Sequence, residues 1–310
     1  MRNIFPPLNL KELIWTTTGS VCYLILSRLL IGFKIDQLVL VLLFNALFYA
    51  SNTTRRFILG FLIFIVFWIV FDYMKVIPNY LVNDVHIEDL YIREKSLFGI
   101  ETENGLLTPN EFADQYSHLG LDLMSGFFYL NWIPVPLFFA FYLFSKNKAL
   151  FLQFALSFLL VNLIGFMVYY IYPAAPPWYV KEYGFEFLLH TPGHTGTALS
   201  HFDDFFGVEI FQGLYSKSSN VFAAMPSLHS AYPVVVLYFG LKKKVGWVNI
   251  LLALFMIGIW FSAVYTGHHY IQDVVGGILC AITGLFIFEK LLLKSPGFNR
   301  FLKRYEMKIT

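Results

Sequence analysis

Apart from its tyrosines, the stretch 149–172 has only Gln153, Ser157 and Asn162 as polar side chains, and it has no charge. A helix needs roughly 20 apolar residues to cross a bilayer, so this segment alone commits the chain to a membrane. Seven further stretches read the same way, at approximately 13–33, 37–52, 57–75, 120–144, 223–241, 246–267 and 270–292, the second being short enough to be tilted or re-entrant. The expected fold class is therefore all-α: a polytopic membrane helical bundle of about eight transmembrane helices. A composition of 57% hydrophobic and 14% charged residues is too apolar for a soluble domain of this length. The net charge of +2 supplies no basic face for nucleic acid. Cys22 and Cys280 lie inside apolar runs, where a thiol behaves as a small hydrophobe, so neither a disulfide framework nor a metal site is indicated. The first run is longer than a signal-peptide core and reads as a retained helix.

Loop charge sets an orientation, because Lys and Arg collect on the cytoplasmic side. If every stretch spans, Lys11, Arg55 and Arg56, Lys146 and Lys148, Lys242 to Lys244 and the tail with Lys294, Arg300, Lys303, Arg304 and Lys308 all share one side. Both termini are then cytoplasmic, with Lys34 the one dissenting residue. The long loops 76–119 and 173–222 lie outside, and the first carries Asp84, Glu88, Asp89, Glu101, Glu103, Glu111 and Asp114.

The same arrangement brings two polar islands to one outer face. His269 and Asp273 are four residues apart, so on a helix the carboxylate can orient the imidazole and leave its other nitrogen free as nucleophile or base. An isolated pair of this kind also occurs simply to satisfy its own hydrogen bonds. Pro226-Ser227-Leu228-His229 reads as a helix start, with Ser227 as cap and free N–H groups suited to a phosphate. It reads equally as a capped helix with an incidental His229.

Taken together, Pro-Ser-x-His followed by His-x-x-x-Asp resembles the type 2 phosphatidic acid phosphatase superfamily, whose members form a phosphohistidine. The resemblance implies a six-helix lipid-phosphatase-like core with His269 as nucleophile, Asp273 as its orienting partner and His229 as proton donor. It implies no metal or other cofactor. Two cationic elements usual in those phosphatases are missing: the second position of the expected Ser-Arg pair is Ala in Ser262-Ala263, and Tyr172 to Tyr179 contains no Arg. A phosphomonoester dianion needs more positive charge than a phosphodiester, which carries one negative charge. The strings PAAPPWY, FAAMPSLHSAYP and YTGHHYIQD resemble the inositol phosphorylceramide synthase branch, and the loop EDLYIREKSLFGI is similar to that of bacterial relatives of that synthase.

That branch implies transfer of phosphoinositol from phosphatidylinositol to ceramide, with diacylglycerol released on the extracytoplasmic face of a bacterial inner membrane, or of the Golgi in a eukaryote. Its partners would be those membrane lipids. Ser227, His268, Lys181 and Trp178 are the candidate substrate or phosphate contacts. The domains expected are an N-terminal transmembrane hairpin over 1–56, a core over 57–295 and a basic cytoplasmic tail over 296–310. Two other readings stay open: a phosphatase for lipid phosphates or isoprenyl diphosphates, and a phospholipid-binding protein without catalysis. Trp178 either covers a headgroup or marks the interface. Arg28, Asp72 and Asp122 are expected to pair within the bundle rather than form a proton path. His190, His194 and His201 fit no metal-ligand spacing and are read as solvated loop histidines.

Overall fold

The computed structural model describes residues 9–103, 105–189, 191–215 and 220–310. Helices α1 (Leu10–Leu30) and α2 (Ile35–Ala50) form a hairpin that leads into α3 (Asn52–Tyr73). The segment between α3 and the next long helix holds α4 (Glu88–Phe98), a short hairpin of β1 (Ile100–Thr102) and β2 (Gly105–Leu107), and α5 (Pro109–Gln115). Next come α6 (Leu119–Leu130), α7 (Pro134–Lys146) and α8 (Lys148–Ile171), and the long segment after α8 holds α9 (Pro177–Tyr183), α10 (Thr197–Phe206) and α11 (Ile210–Tyr215). The chain closes with α12 (Leu228–Lys243), α13 (Val248–Tyr265), α14 (Ile271–Ile287) and α15 (Pro296–Ile309).

Among the described residues, six helical stretches are long and apolar enough to cross a membrane, and the chain is a multi-pass membrane protein. Helix formation satisfies the backbone polar groups that lipid cannot. α2 and α12, expected to span, are 16 residues each and fall short of that length. The shortening of α12 has a local cause. Instead of entering the helix at 223, the chain pairs with Ala174, just after α8, which bridges both His86 and Ala223, and the helix starts only after Ser227. The expected single helix over 120–144 is likewise interrupted at 131–133, because Pro134 has no N–H to continue the ladder and instead opens α7.

α8 is the central post, buried along its length from Leu150 to Tyr169. Aromatic contacts tie it to α3 through Phe61 and Phe151 (5.2 Å), to α7 through Phe139 and Phe154 (5.4 Å), and to α12 through Phe154 and Phe239 (5.6 Å). Small residues let helices close in: Gly165 lies under Leu228, and Gly284 under Val161. The outward faces keep Phe138, Leu254, Ile257, Ile282 and Phe286 exposed, as lipid-facing surfaces require. α1 buries only Ser27 among its described residues, so the hairpin sits at the periphery. α15 docks beside the starts of α3 and α8, where the Tyr305 hydroxyl donates to the Leu59 carbonyl (2.7 Å).

Candidate active site

The turn between α13 and α14 is held at several points. The His269 N–H donates to the Ala263 carbonyl (2.9 Å), and the Thr266 hydroxyl donates to the Ser262 carbonyl (2.8 Å). From α5, the Asn110 amide donates to the carbonyls of Val264 (2.7 Å) and His269 (2.9 Å). From α9, the Trp178 N–H donates to the Gly267 carbonyl (3.0 Å). Gly267 has φ +74°, a left-handed conformation that its missing side chain permits and that points the chain into His268-His269.

The start of α14 is capped twice. Asp273 Oδ2 accepts the Tyr270 N–H (2.8 Å), and the fully buried Glu94 carboxylate, from α4, accepts the N–H groups of Ile271 (2.8 Å) and Gln272 (3.2 Å). Its burial pushes the Glu94 carboxyl pKa up, and the two N–H donors pull against that shift. α12 begins against the same point: the Ser227 N–H donates to the Asp273 carbonyl (2.9 Å), and the Ser227 hydroxyl accepts from the Ser230 N–H (3.3 Å). Gly277 makes this approach possible, because a Cβ there would overlap the Ser227 carbonyl oxygen.

These two helix starts bring the imidazoles together. His269 Nε2 lies 3.3 Å from His229 Nδ1, and the Tyr129 hydroxyl of α6 lies 2.8 Å from the same His229 nitrogen. The interruption between α6 and α7 places the Trp132 ring 4.2 Å from the His229 ring. His268 is also buried, with Nδ1 3.0 Å from the Thr266 hydroxyl and its ring 4.4 Å from Tyr215. Burial pushes the His269 pKa down to about 4, against the opposing pull of the Ala224 carbonyl. Burial together with the neighbouring His269 and His229 pushes His268 to about 3. Both rings are neutral near pH 7, and a neutral His269 retains the lone pair that a nucleophile requires.

The expected hydrogen bond from the His269 ring to Asp273 is not formed: His269 Nδ1 and Asp273 Oδ2 are 3.7 Å apart, beyond hydrogen-bond reach, and Asp273 Oδ2 accepts the Tyr270 N–H instead. His229, His269, Asp273, Ser227 and His268 gather at this site, whereas Trp178 and Lys181 line a cavity of about 350 Å³ beside the turn. Lys181 is held there by both oxygens of Asp114 (2.8 Å each).

Several loop and membrane polar residues differ from expectation. His201 is no free loop histidine: its Nδ1 lies 2.6 Å from Asp122, which also accepts from the Tyr265 hydroxyl (2.6 Å). His194 accepts the Gly196 N–H and lies against Trp178, and His190 lies outside the described residues. The membrane charges do not pair with one another as expected, since Asp72 takes Lys75 (2.7 Å), Asp122 takes His201, and Arg28 is exposed on α1. Tyr129, Trp132, Asn110 and Glu94 escape the reading of the sequence, as does Arg93, which donates to the Gln272 side chain (2.7 Å). The one signal for Arg93 and Glu94 was the similarity of the loop that contains them.

Two buried imidazoles meeting at the starts of two packed helices, each start backed by a capping network, could serve as a nucleophile beside a proton donor. The profile of the PAP2 superfamily matches residues 95–287, and the chain belongs to that superfamily. It is 44% identical over 297 residues to the phosphoinositol dihydroceramide synthase of Bacteroides thetaiotaomicron, an alignment covering 95% of this chain and 97% of that protein. It is 32% identical over 153 residues to the inositol phosphorylceramide synthase of Candida albicans, covering 48% of this chain and 31% of that protein. The inositol phosphorylceramide synthase catalytic subunit of Schizosaccharomyces pombe is 29% identical over 150 residues, covering 48% of this chain and 35% of the subunit. No solved structure matches the chain.

Proposed function

We propose that this chain is a phosphotransferase that moves phosphoinositol from phosphatidylinositol to a ceramide-type lipid and releases diacylglycerol. The observation that carries this reading is the 44% identity to a phosphoinositol dihydroceramide synthase across nearly the whole of both chains. The 3.3 Å approach of His229 to His269 supports it by supplying two neighbouring groups with complementary tasks.

In the first half-reaction, the His269 Nε2 lone pair attacks the donor phosphorus. The bond from phosphorus to the diacylglycerol oxygen breaks, and His229 gives that oxygen a proton. In the second, His229 takes the proton of the acceptor's primary hydroxyl. The resulting oxygen attacks the phosphohistidine, the P–N bond breaks, and His269 returns to its starting state. Asp273 favours the positive charge that the His269 ring gains. Because the two rings now contact each other, an entering phosphorus must part them. Ser227 and His268 are the proposed phosphate contacts. Arg93 supports this set as a cation near the first turn of α14, joined to it through Gln272.

The proposed domain division keeps α1 and α2 as an added hairpin, residues 57–295 as the catalytic core and α15 as a basic tail. In the proposed orientation both termini are cytoplasmic and the histidines face the extracytoplasmic side. Purified protein given phosphatidylinositol and ceramide or dihydroceramide is expected to produce inositol phosphorylceramide and diacylglycerol in equal amounts. Release of inorganic phosphate from phosphatidic acid without lipid transfer would overturn this reading in favour of a phosphatase.

A further inference from the structure

The cavity beside the turn that carries His269 is walled by polar groups from four helices, α4, α5, α9 and α10, and from the turn itself. Two residues of its lining carry a fully buried polar atom with no hydrogen-bond partner among the described residues: Asn110 at Oδ1 and Tyr270 at its hydroxyl. Leaving such groups unpaired in a protein interior is costly, and nearly all find a partner. The Asn110 amide is fixed by its other end, which holds the carbonyls of Val264 and His269. Its oxygen is therefore an acceptor still without a partner beside the cavity, on the side chain that holds the His269 carbonyl.

The rest of the lining describes the ligand. Trp178, nearly buried, supplies a flat apolar wall. Glu111, which accepts from the Tyr91 hydroxyl (2.8 Å) and the Thr108 N–H (2.7 Å), supplies a carboxylate with acceptor capacity remaining. The cationic side chain on the lining, Lys181, is neutralised by Asp114. An anion finds no unpaired lysine or arginine there. A neutral ring carrying many hydroxyls finds acceptors, a hydroxyl and an aromatic face, and a volume of about 350 Å³ is within the range of small-molecule sites.

We propose that this cavity binds the cyclic polyol of the donor headgroup, with ring hydroxyls bonded to Asn110 Oδ1, Tyr270 Oη and Glu111 while the attached phosphate reaches His269. This inference rests on the reading of the chain as a phosphoinositol transferase. It gives Trp178 a role at the headgroup ring rather than as a marker of the membrane interface.

Two variants test the assignment on the full chain in detergent. Tyr270→Phe removes one hydroxyl and nothing else, and Ala113→Trp fills the cavity from α5. Tyr270→Phe is expected to raise the KM for phosphatidylinositol roughly fivefold, the worth of about one neutral hydrogen bond. Ala113→Trp is expected to raise that KM further by occupying the cavity, and both are expected to leave the KM for ceramide unchanged. Saturation-transfer NMR with free myo-inositol is expected to give a signal on the wild type that both variants lose. Folded variants that keep the wild-type donor KM and the myo-inositol signal would overturn the assignment. If the wild type transfers no phosphoinositol but shows a myo-inositol signal that the variants lose, the reaction is misread and the cavity assignment stands.

Discussion

His269 and His229, forty residues apart in the chain, are joined at 3.3 Å where the starts of α12 and α14 meet. The pairing depends on backbone bonds around both rings, so residues that never touch a substrate are expected to govern the reaction.

In the proposed mechanism each imidazole has a covalent or proton-transfer role, so His269→Ala or His229→Ala is expected to lower kcat by at least about 10³-fold, general acid–base catalysis alone being worth roughly 10² to 10⁴. Asp273→Asn keeps the size and removes the charge, so a loss in kcat with an unchanged ceramide KM is expected. A variant at any of the three with wild-type kcat in the lipid-transfer assay contradicts its role.

Tyr129→Phe removes the hydroxyl that meets His229 Nδ1 at 2.8 Å. A neutral hydrogen bond is worth about 1 kcal/mol, which corresponds to a fall in kcat of roughly fivefold with little change in KM. A pH–rate profile displaced from that of the wild type would tie the loss to His229 rather than to packing.

Glu94→Gln tests the cap that α4 places on α14. The substitution retains one acceptor for the Ile271 and Gln272 N–H groups and loses the charge at the helix start. A stability loss of about 1 kcal/mol is expected from weakened capping, with a lower kcat because the same turn carries His269. Equal thermal stability and equal kcat in the variant would detach α4 from the site.

Gly277→Ala and its neighbour Gly276→Ala form a matched pair. The first puts a methyl into the Ser227 carbonyl, which is backbone, while the second meets the flexible end of Met225 at 3.2 Å. Gly277→Ala is expected to cost about 1–3 kcal/mol, as overpacking does, and to abolish transfer, while Gly276→Ala remains active. Thermal unfolding in detergent and the transfer assay read the difference.

Protonation supplies a further check. Burial holds His269 near pKa 4, below the ordinary value of 6.5, so between these values the unfolded chain binds more protons than the folded one. The stability contribution of this group is complete above about pH 6.5 and falls as the pH drops toward 4. The nucleophile stays unprotonated through the same window, and the acid limb that His269 imposes on kcat/KM is expected below pH 5 rather than near 6.5.

Much of this architecture was legible in the sequence because membrane helices announce themselves by length and loop charge. The Ser227–His229 and His269–Asp273 elements carried their spacing within a few residues. What escaped was the coupling between distant segments. Glu94 reaches a helix start 177 residues away, and Tyr129 reaches a histidine 100 residues away, with no local pattern to mark either contact. The start of α12 was misplaced for a related reason: its first apolar residues pair with Ala174 in an extended run, which hydrophobicity alone cannot distinguish from helix.

The central claim is that His269 carries the phosphoryl group between two lipids. Phosphatidylinositol labelled with ³²P, given to purified protein without acceptor, is expected to leave label on the wild type that is acid-labile, base-stable, absent from His269→Ala and discharged by added ceramide. Absence of label on a wild-type protein that makes inositol phosphorylceramide, or persistence of label on His269→Ala, would contradict the account.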